Sequence, residues 1–262
     1  MAELSAQLAA TGVALPPTED ELPYDDGMPM ETERHVLQLQ LLMETLRLFW
    51  ADRQDVYVGG NMFVYFSLEQ VRNQDFRGPD FFAVLDVPKR ERKSWVVWCE
   101  GKGPDVVIEL LSESTAARDK GEKKDIYQDR LRVPEYFWFD PFSAEWAGFA
   151  LREGIYEPIA VEPSERLISQ RLDLALVRWE GTYQDVHIRW LRWATREGTL
   201  LPTPQEVAEQ AQHRAEAAQQ QAEETQRQIE EVRQQVEEVR QRQAELEALL
   251  ARYRDRFGDL SP

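Results

Sequence analysis

Apolar and polar residues alternate along the 262-residue chain in three rhythms. In METERHVLQLQLLMETLRLFW (30–50), Val36, Leu39, Met43, Leu46 and Trp50 recur at three- and four-residue spacing, which predicts an amphipathic helix. From Asp55 to about Trp179 the period shortens. VYVGGNMFVYFS, DFFAVLDV, SWVVWCE, DVVIELL, EYFWFDP, EWAGFAL, IYEPIAV and LDLALVRW are short runs rich in β-branched and aromatic residues, separated by Gly, Pro or charged clusters, and they predict strands. The helical pattern DKGEKKDIYQDRL (119–131) interrupts the series. QDVHIRWLRWATRE (184–197) closes it, with His187 in a late strand or helix. The expected fold class is α/β (α+β): about 170 residues on one sheet with few helices.

The third rhythm begins after LLPTP, where Pro202 and Pro204 supply a helix start. Ile229, Val236, Gln243 and Leu250 fall seven apart, as do Val232, Val239, Leu246 and Tyr253; the register extends back through Ala222, Ala218, Ala215, Ala211 and Ala208. That a/d seam runs over roughly seven heptads and predicts a coiled-coil helix over residues 203–256, ahead of a tail at 257–262. A lone helix would leave the stripe wet, so pairing is expected. Gln243 is a polar insert able to set register.

Composition narrows the function classes. A hydrophobic fraction of 42% with eight Trp suffices for a sizeable core. The formal charge of −17 excludes a basic nucleic-acid coat protein. Any nucleic-acid contact must come from a local patch, and PKRERKS (88–94) offers one. Its Lys89, Arg90, Arg92 and Lys93 are candidate phosphate contacts close to the acidic strands it connects. Residues 1–29 are acidic and lack periodicity, and are read as a mobile arm. Cys99 is the only cysteine, which fits a reducing compartment. No segment reads as a bilayer span or a secretory signal, so a cytoplasmic protein without a membrane partner is expected.

The chemistry concentrates in GPDVVIELLSEST (103–115). Alternation puts Val107, Glu109 and Leu111 on one face of a strand, and Val106, Ile108 and Leu110 on the other. A carboxylate in so apolar a strand must be paired with a cation, coordinated to a metal or protonated. The strand GPDFFAVLDV supplies Asp80 at its entry and Asp86 further along the same face. Asp80 and Glu109 on neighbouring strands form a hard oxygen set suited to Mg²⁺ or Mn²⁺. Asp105, in the second GPD, reads as a strand-entry residue. Beyond the strand, Lys120, Lys123 and Lys124 can each share a helical face with Tyr127 or Leu131. Alternatively, Glu109 is a structural ion-pair partner of one of these lysines.

The order GPD at 78–80, GPDVVIELLSEST, then RDKGEKKDIYQDRLRVPEYFWFDP resembles the Uma-type restriction endonucleases, a branch of the PD-(D/E)XK nuclease superfamily. The likeness covers about residues 30–200, and a trailing coiled coil is similar to members of this group. It implies a restriction-endonuclease-like mixed sheet flanked by helices, with metal-dependent cleavage of DNA phosphodiester bonds. On this resemblance Asp80 and Glu109 are catalytic metal ligands, joined by the Leu110 backbone carbonyl. The superfamily's usual lysine position, two after the glutamate, is Leu111 here. The resemblance takes the lysine instead from the G-E-K motif, at Lys123. Lys120 and Lys124, by their helical spacing, and His35, by its place on the first helix, are candidate supporting residues, with a partly buried helix position as the other reading of His35. Paired coiled coils would make a homodimer, a geometry suited to cutting both strands of DNA. The competing expectation is a non-catalytic nucleic-acid- or protein-binding module that oligomerises through its coiled coil.

Overall fold

The structure is a computed structural model that describes residues 16–23, 32–72, 78–112, 116 and 119–258. Most of the expected arm (1–15 and 24–29) and residues 259–262 lie outside the described residues. The chain divides into two compact units, Met1–Pro204 and Gln205–Pro262.

Thr32 caps helix α1 (Glu33–Phe49) by accepting the His35 N–H at its N-terminus. A six-stranded mixed sheet follows, in the order β1 (Val56–Gly60), β3 (Phe81–Leu85), β5 (Val106–Leu110), β6 (Glu135–Phe139), β7 (Trp146–Arg152) and β8 (Ile155–Pro158). β5 and β6 run parallel, whereas β1–β3, β3–β5, β6–β7 and β7–β8 are antiparallel. Two smaller sheets accompany it. One is the parallel pair β2 (Val64–Tyr65) with β4 (Trp95–Val96); the other joins β9 (Arg166–Ser169), β10 (Leu174–Tyr183) and β11 (Val186–Ala194). Among the described residues the expected single sheet is therefore three. Short helices α2 (Leu68–Arg72) and α3 (Val97–Glu100) occupy connections, and a π-turn at Asp119–Lys123 leads into α4 (Lys124–Asp129).

Both faces of the main sheet are covered. Val106, Ile108 and Leu110 pack with Leu39, Leu42 and Leu46 of α1 and with Leu174, Leu176 and Leu191 of the three-stranded sheet. The opposite face sets Val107, Phe82 and Tyr136 against Tyr127 of α4. β5 is buried throughout for this reason. The contact of α1 with β1 is so close that a Cβ on Gly60 would lie 2.6 Å from the Met43 sulfur.

Two local expectations change, and the open reading of 184–197 resolves. SWVVWCE is a strand only to Val96; the chain then turns into α3 and closes at Gly101, with φ of +81°. Segment 184–197 is largely strand: Gln184 and Asp185 both take positive φ, forming a tight hairpin turn without the glycine that usually announces one. The part of the arm at 16–23 is docked rather than loose. Leu22 is buried against Tyr65 and Val96, and the Trp98 indole N–H donates to the Pro17 carbonyl.

The second unit is dominated by one helix, α5 (Pro204–Phe257). Among the described residues no helix is long and apolar enough to cross a membrane.

The buried Gln38 amide joins α1 to β11 by donating to the Leu191 carbonyl and accepting the Leu191 N–H, both at 2.9 Å. Gln38→Leu preserves the bulk and orphans two buried backbone groups. Each costs about 1–3 kcal/mol, so the urea midpoint should fall by an amount equivalent to several kcal/mol.

Candidate active site

Strand register creates the site. β3 and β5 pair with Phe81 opposite Ile108 and Phe82 opposite Val107, so one further step sets Asp80 opposite Glu109 on the face that carries Phe82 and Val107. The GPD turn is tightly built: a Cβ on Gly78 would meet the Met62 carbonyl oxygen at 2.2 Å. Asp80 Oδ2 accepts the Leu110 N–H at 2.7 Å, which ties its carboxylate to the backbone of the residue after Glu109.

Glu109 has no exposed surface. Its Oε2 lies 3.0 Å from Lys123 Nζ, and its Oε1 accepts the Tyr127 hydroxyl at 2.6 Å. Lys123 Nζ is also 2.8 Å from Asp119 Oδ1, while the Asp119 carbonyl accepts the Tyr136 hydroxyl. The π-turn into α4 presents Asp119, Lys123 and Tyr127, at four-residue spacing, to one point on β5.

Burial raises Glu109 to about 8, with Asp80 and Asp119 adding to the shift and Lys123 opposing it. Burial likewise raises Asp80, against the pull of Lys123, the Leu110 N–H and a hydrogen bond with Glu109. Lys123 is held firmly as the cation: burial disfavours its charge, but Glu109 and Asp119 outweigh that and raise it. Two carboxylates thus face each other with one nearby ammonium, and near neutral pH the pair retains a proton.

The structure brings Asp80, Glu109, the Leu110 backbone and Lys123 together. Lys120 instead stacks on Trp138 at 4.2 Å, and Lys124 on Phe149 at 3.6 Å. His35 is buried, with Nδ1 2.8 Å from the Thr32 hydroxyl and Nε2 3.1 Å from the Leu111 carbonyl. A carbonyl only accepts, so Nε2 carries the proton and the ring braces the end of β5. Asp86 is not part of the site; it is exposed beyond β3 with φ of +58°. Asp105 is structural, bound by Lys102, Arg171 and the Leu85 N–H.

The basic linker is a correction in both place and availability. It leaves β3 at the end opposite Asp80, and the N–H groups of Val87 and Lys89 bond Asp55 and Gln54 before β1. Arg92 is buried in a pair with Glu100 and stacks on Tyr57 and Trp95. Arg90 pairs with Glu19 and Glu100, Lys93 pairs with Asp20, and the Lys89 ammonium donates to the Ala51 carbonyl. Three of the four linker cations, Arg90, Arg92 and Lys93, are therefore paired with carboxylates, two of them from the arm.

Asp119 and the Tyr127 hydroxyl were missed as site groups. Asp119 shows only as a four-residue step before Lys123, and Tyr127 reads as a core residue until its hydroxyl is seen on Glu109.

The model of the Uma2 family, described as "Putative restriction endonuclease", matches residues 14–180, and the chain belongs to that family. No curated protein matches the chain. Among solved structures, the chain is similar to a putative nuclease of DUF820 from Anabaena variabilis ATCC 29413, at 16% identity and a TM-score of 0.40 over 66% of this chain and 95% of that one.

The shared proton has a measurable consequence in chelator-treated protein. Between the ordinary value of 4.5 and about 8, the folded state keeps a proton on Glu109 that the unfolded chain has released. The stability linked to that proton is complete below 4.5 and is lost as pH rises through about 8. Thermal melts in EDTA should show wild type losing stability relative to Glu109→Gln across this window. A pH-independent difference would refute the shared proton.

Proposed function

We propose that the protein is a divalent-metal-dependent endonuclease that hydrolyses DNA phosphodiester bonds, with Asp80, Glu109 and Lys123 at its centre. The observation that carries this reading is the facing of Asp80 and Glu109 across β3 and β5, with Lys123 Nζ 3.0 Å from Glu109, inside a chain of the Uma2 family.

The donor chemistry fits Mg²⁺ or Mn²⁺. Among the described residues no group of three or more His, Cys, Asp or Glu is arranged to hold a metal. The protein's offering is two carboxylates and the carbonyl of Leu110, the residue whose N–H is bonded to Asp80. Three oxygen donors suit a small hard cation that keeps several waters. The retained proton sits where a dication would satisfy the same carboxylates. A bound dication supplies charge to stabilise the reacting phosphate and lowers the pKa of water.

The remaining roles belong to the chain. Tyr127 and Lys123 orient the Glu109 carboxylate by bonding one oxygen each. Lys123, kept protonated by Glu109 and Asp119, places fixed positive charge where a phosphate and an attacking water would gather negative charge. The Leu110 N–H aims Asp80. The buried surroundings strengthen all of these interactions relative to water.

Cleavage of supercoiled plasmid DNA is the direct test, run with Mg²⁺, Mn²⁺ or EDTA. Wild type should cut only with metal. Asp80→Asn and Glu109→Gln should lose activity by roughly a hundredfold or more, and Lys123→Ala by a similar order. Folded protein that binds DNA, never cuts it and is indifferent to Glu109→Gln would instead be a binding module.

A further inference from the structure

Helix α5 leaves a one-sided apolar seam in solvent. Ile229, Val232, Val236, Val239, Leu246, Leu250 and Tyr253 are each at least 42% exposed. The seam is also uneven along its length. Its N-terminal half is alanine at 208, 211, 215, 218 and 222, its centre is β-branched, and its C-terminal half is bulky. It contains two polar positions, Thr225 and Gln243.

We infer that α5 pairs with a second copy of itself in antiparallel orientation, with Thr225 of each chain facing Gln243 of the other. The proposal rests on self-complementarity, and it stands apart from the nuclease reading. In an antiparallel pair each a position faces a d position. The alignment that sets Thr225 against Gln243 also sets Ala222 against Leu246, Ala218 against Leu250 and Ala215 against Tyr253. At the centre, Ile229 meets Val239 and Val232 meets Val236. Every large side chain in the C-terminal half thereby meets an alanine, and every layer holds a similar summed bulk. Interaxial distance follows the side chains at the contact, so the two helices keep one spacing along the seam.

The polar layer is consistent with this. Thr225 Oγ1 already donates to the Gln221 carbonyl at 2.8 Å, which leaves the hydroxyl oxygen as an acceptor. The Gln243 amide uses one N–H on Glu247 at 2.9 Å and has a second to donate. Away from this alignment, an antiparallel pair would bury Gln243 against an apolar residue.

A parallel pair matches like with like: Ala on Ala at one end, and Leu on Leu and Tyr on Tyr at the other. The helices would have to splay along the seam. It would gain an Arg242–Glu247 contact between chains, whereas the antiparallel pair brings Arg233 near its own copy. Arg233 already lies 3.9 Å from Glu230 on its own helix, and exposed charge contacts of this kind weigh little against core layers. At 1.5 Å per residue the helix runs for about 80 Å.

The test uses the full chain with Cys99→Ser. Sedimentation equilibrium should give twice the 30.6 kDa of one chain, and Val232→Asp with Val236→Asp should reduce this to one chain while preserving the melt of the first unit. After subunit exchange and oxidation, a mixture of Ala222→Cys and Leu246→Cys chains should form a covalent dimer, and Ala222→Cys chains alone should not. Wild type at the mass of one chain, or a dimer that survives the two aspartates, overturns the seam. Cross-linking of Ala222→Cys to itself overturns the antiparallel orientation.

Discussion

The carboxylate of Glu109 lies in the middle of an apolar sheet, and the arrangement around it answers the cost of putting it there. Desolvation alone would hold it neutral. Tyr127 and Lys123 each bond one of its oxygens, and Asp80 faces it from β3. Lys123 and Tyr127 share one helical turn, but neither they nor Asp80 reach Glu109 through local sequence. They meet because β3 and β5 share one register and because the turn before α4 is wound as a π-turn. A slip of one residue in either strand would send Glu109 or Asp80 to the face packed by α1 and dissolve the cluster.

The residue two places after Glu109 is fixed by the same packing. Leu111, two residues after Glu109, is buried; its N–H bonds Phe139 and its carbonyl meets His35. That position serves to close β5 against β6 and α1. The positive charge arrives from the adjoining helix instead, with the reach of a long side chain making up the separation. Asp119 then acts as a second anchor that leaves Lys123 little freedom to turn to solvent.

Charge elsewhere is managed by pairing within the fold. The arm segment 16–23 lies on the 88–94 linker and spends acidic side chains on its cations. Asp105 joins Lys102 and Arg171, and Glu135 is gripped by Ser169 and the N–H groups of Gln170 and Arg171. These pairs match individual charges within the fold and leave the net charge of −17 unchanged.

Periodicity alone determined the helix at 33–49, most of the strands, the alternation that puts Glu109 with Val107, and the long heptad helix. These are local properties, because side-chain direction repeats with the backbone. The residues Asp80, Glu109 and Lys123 were also legible, through three ordered blocks that resemble a family. Tertiary structure decided what local pattern does not encode. It divided the strands among three sheets, formed a hairpin on Gln184 and Asp185 without glycine, docked the acidic arm, and moved the basic linker to the far end of β3 from Asp80. It also placed Lys120 and Lys124 on aromatic rings, and set the Tyr127 hydroxyl on Glu109. Each of these depends on which distant segments pack together, and contacts between distant segments leave no period in the chain.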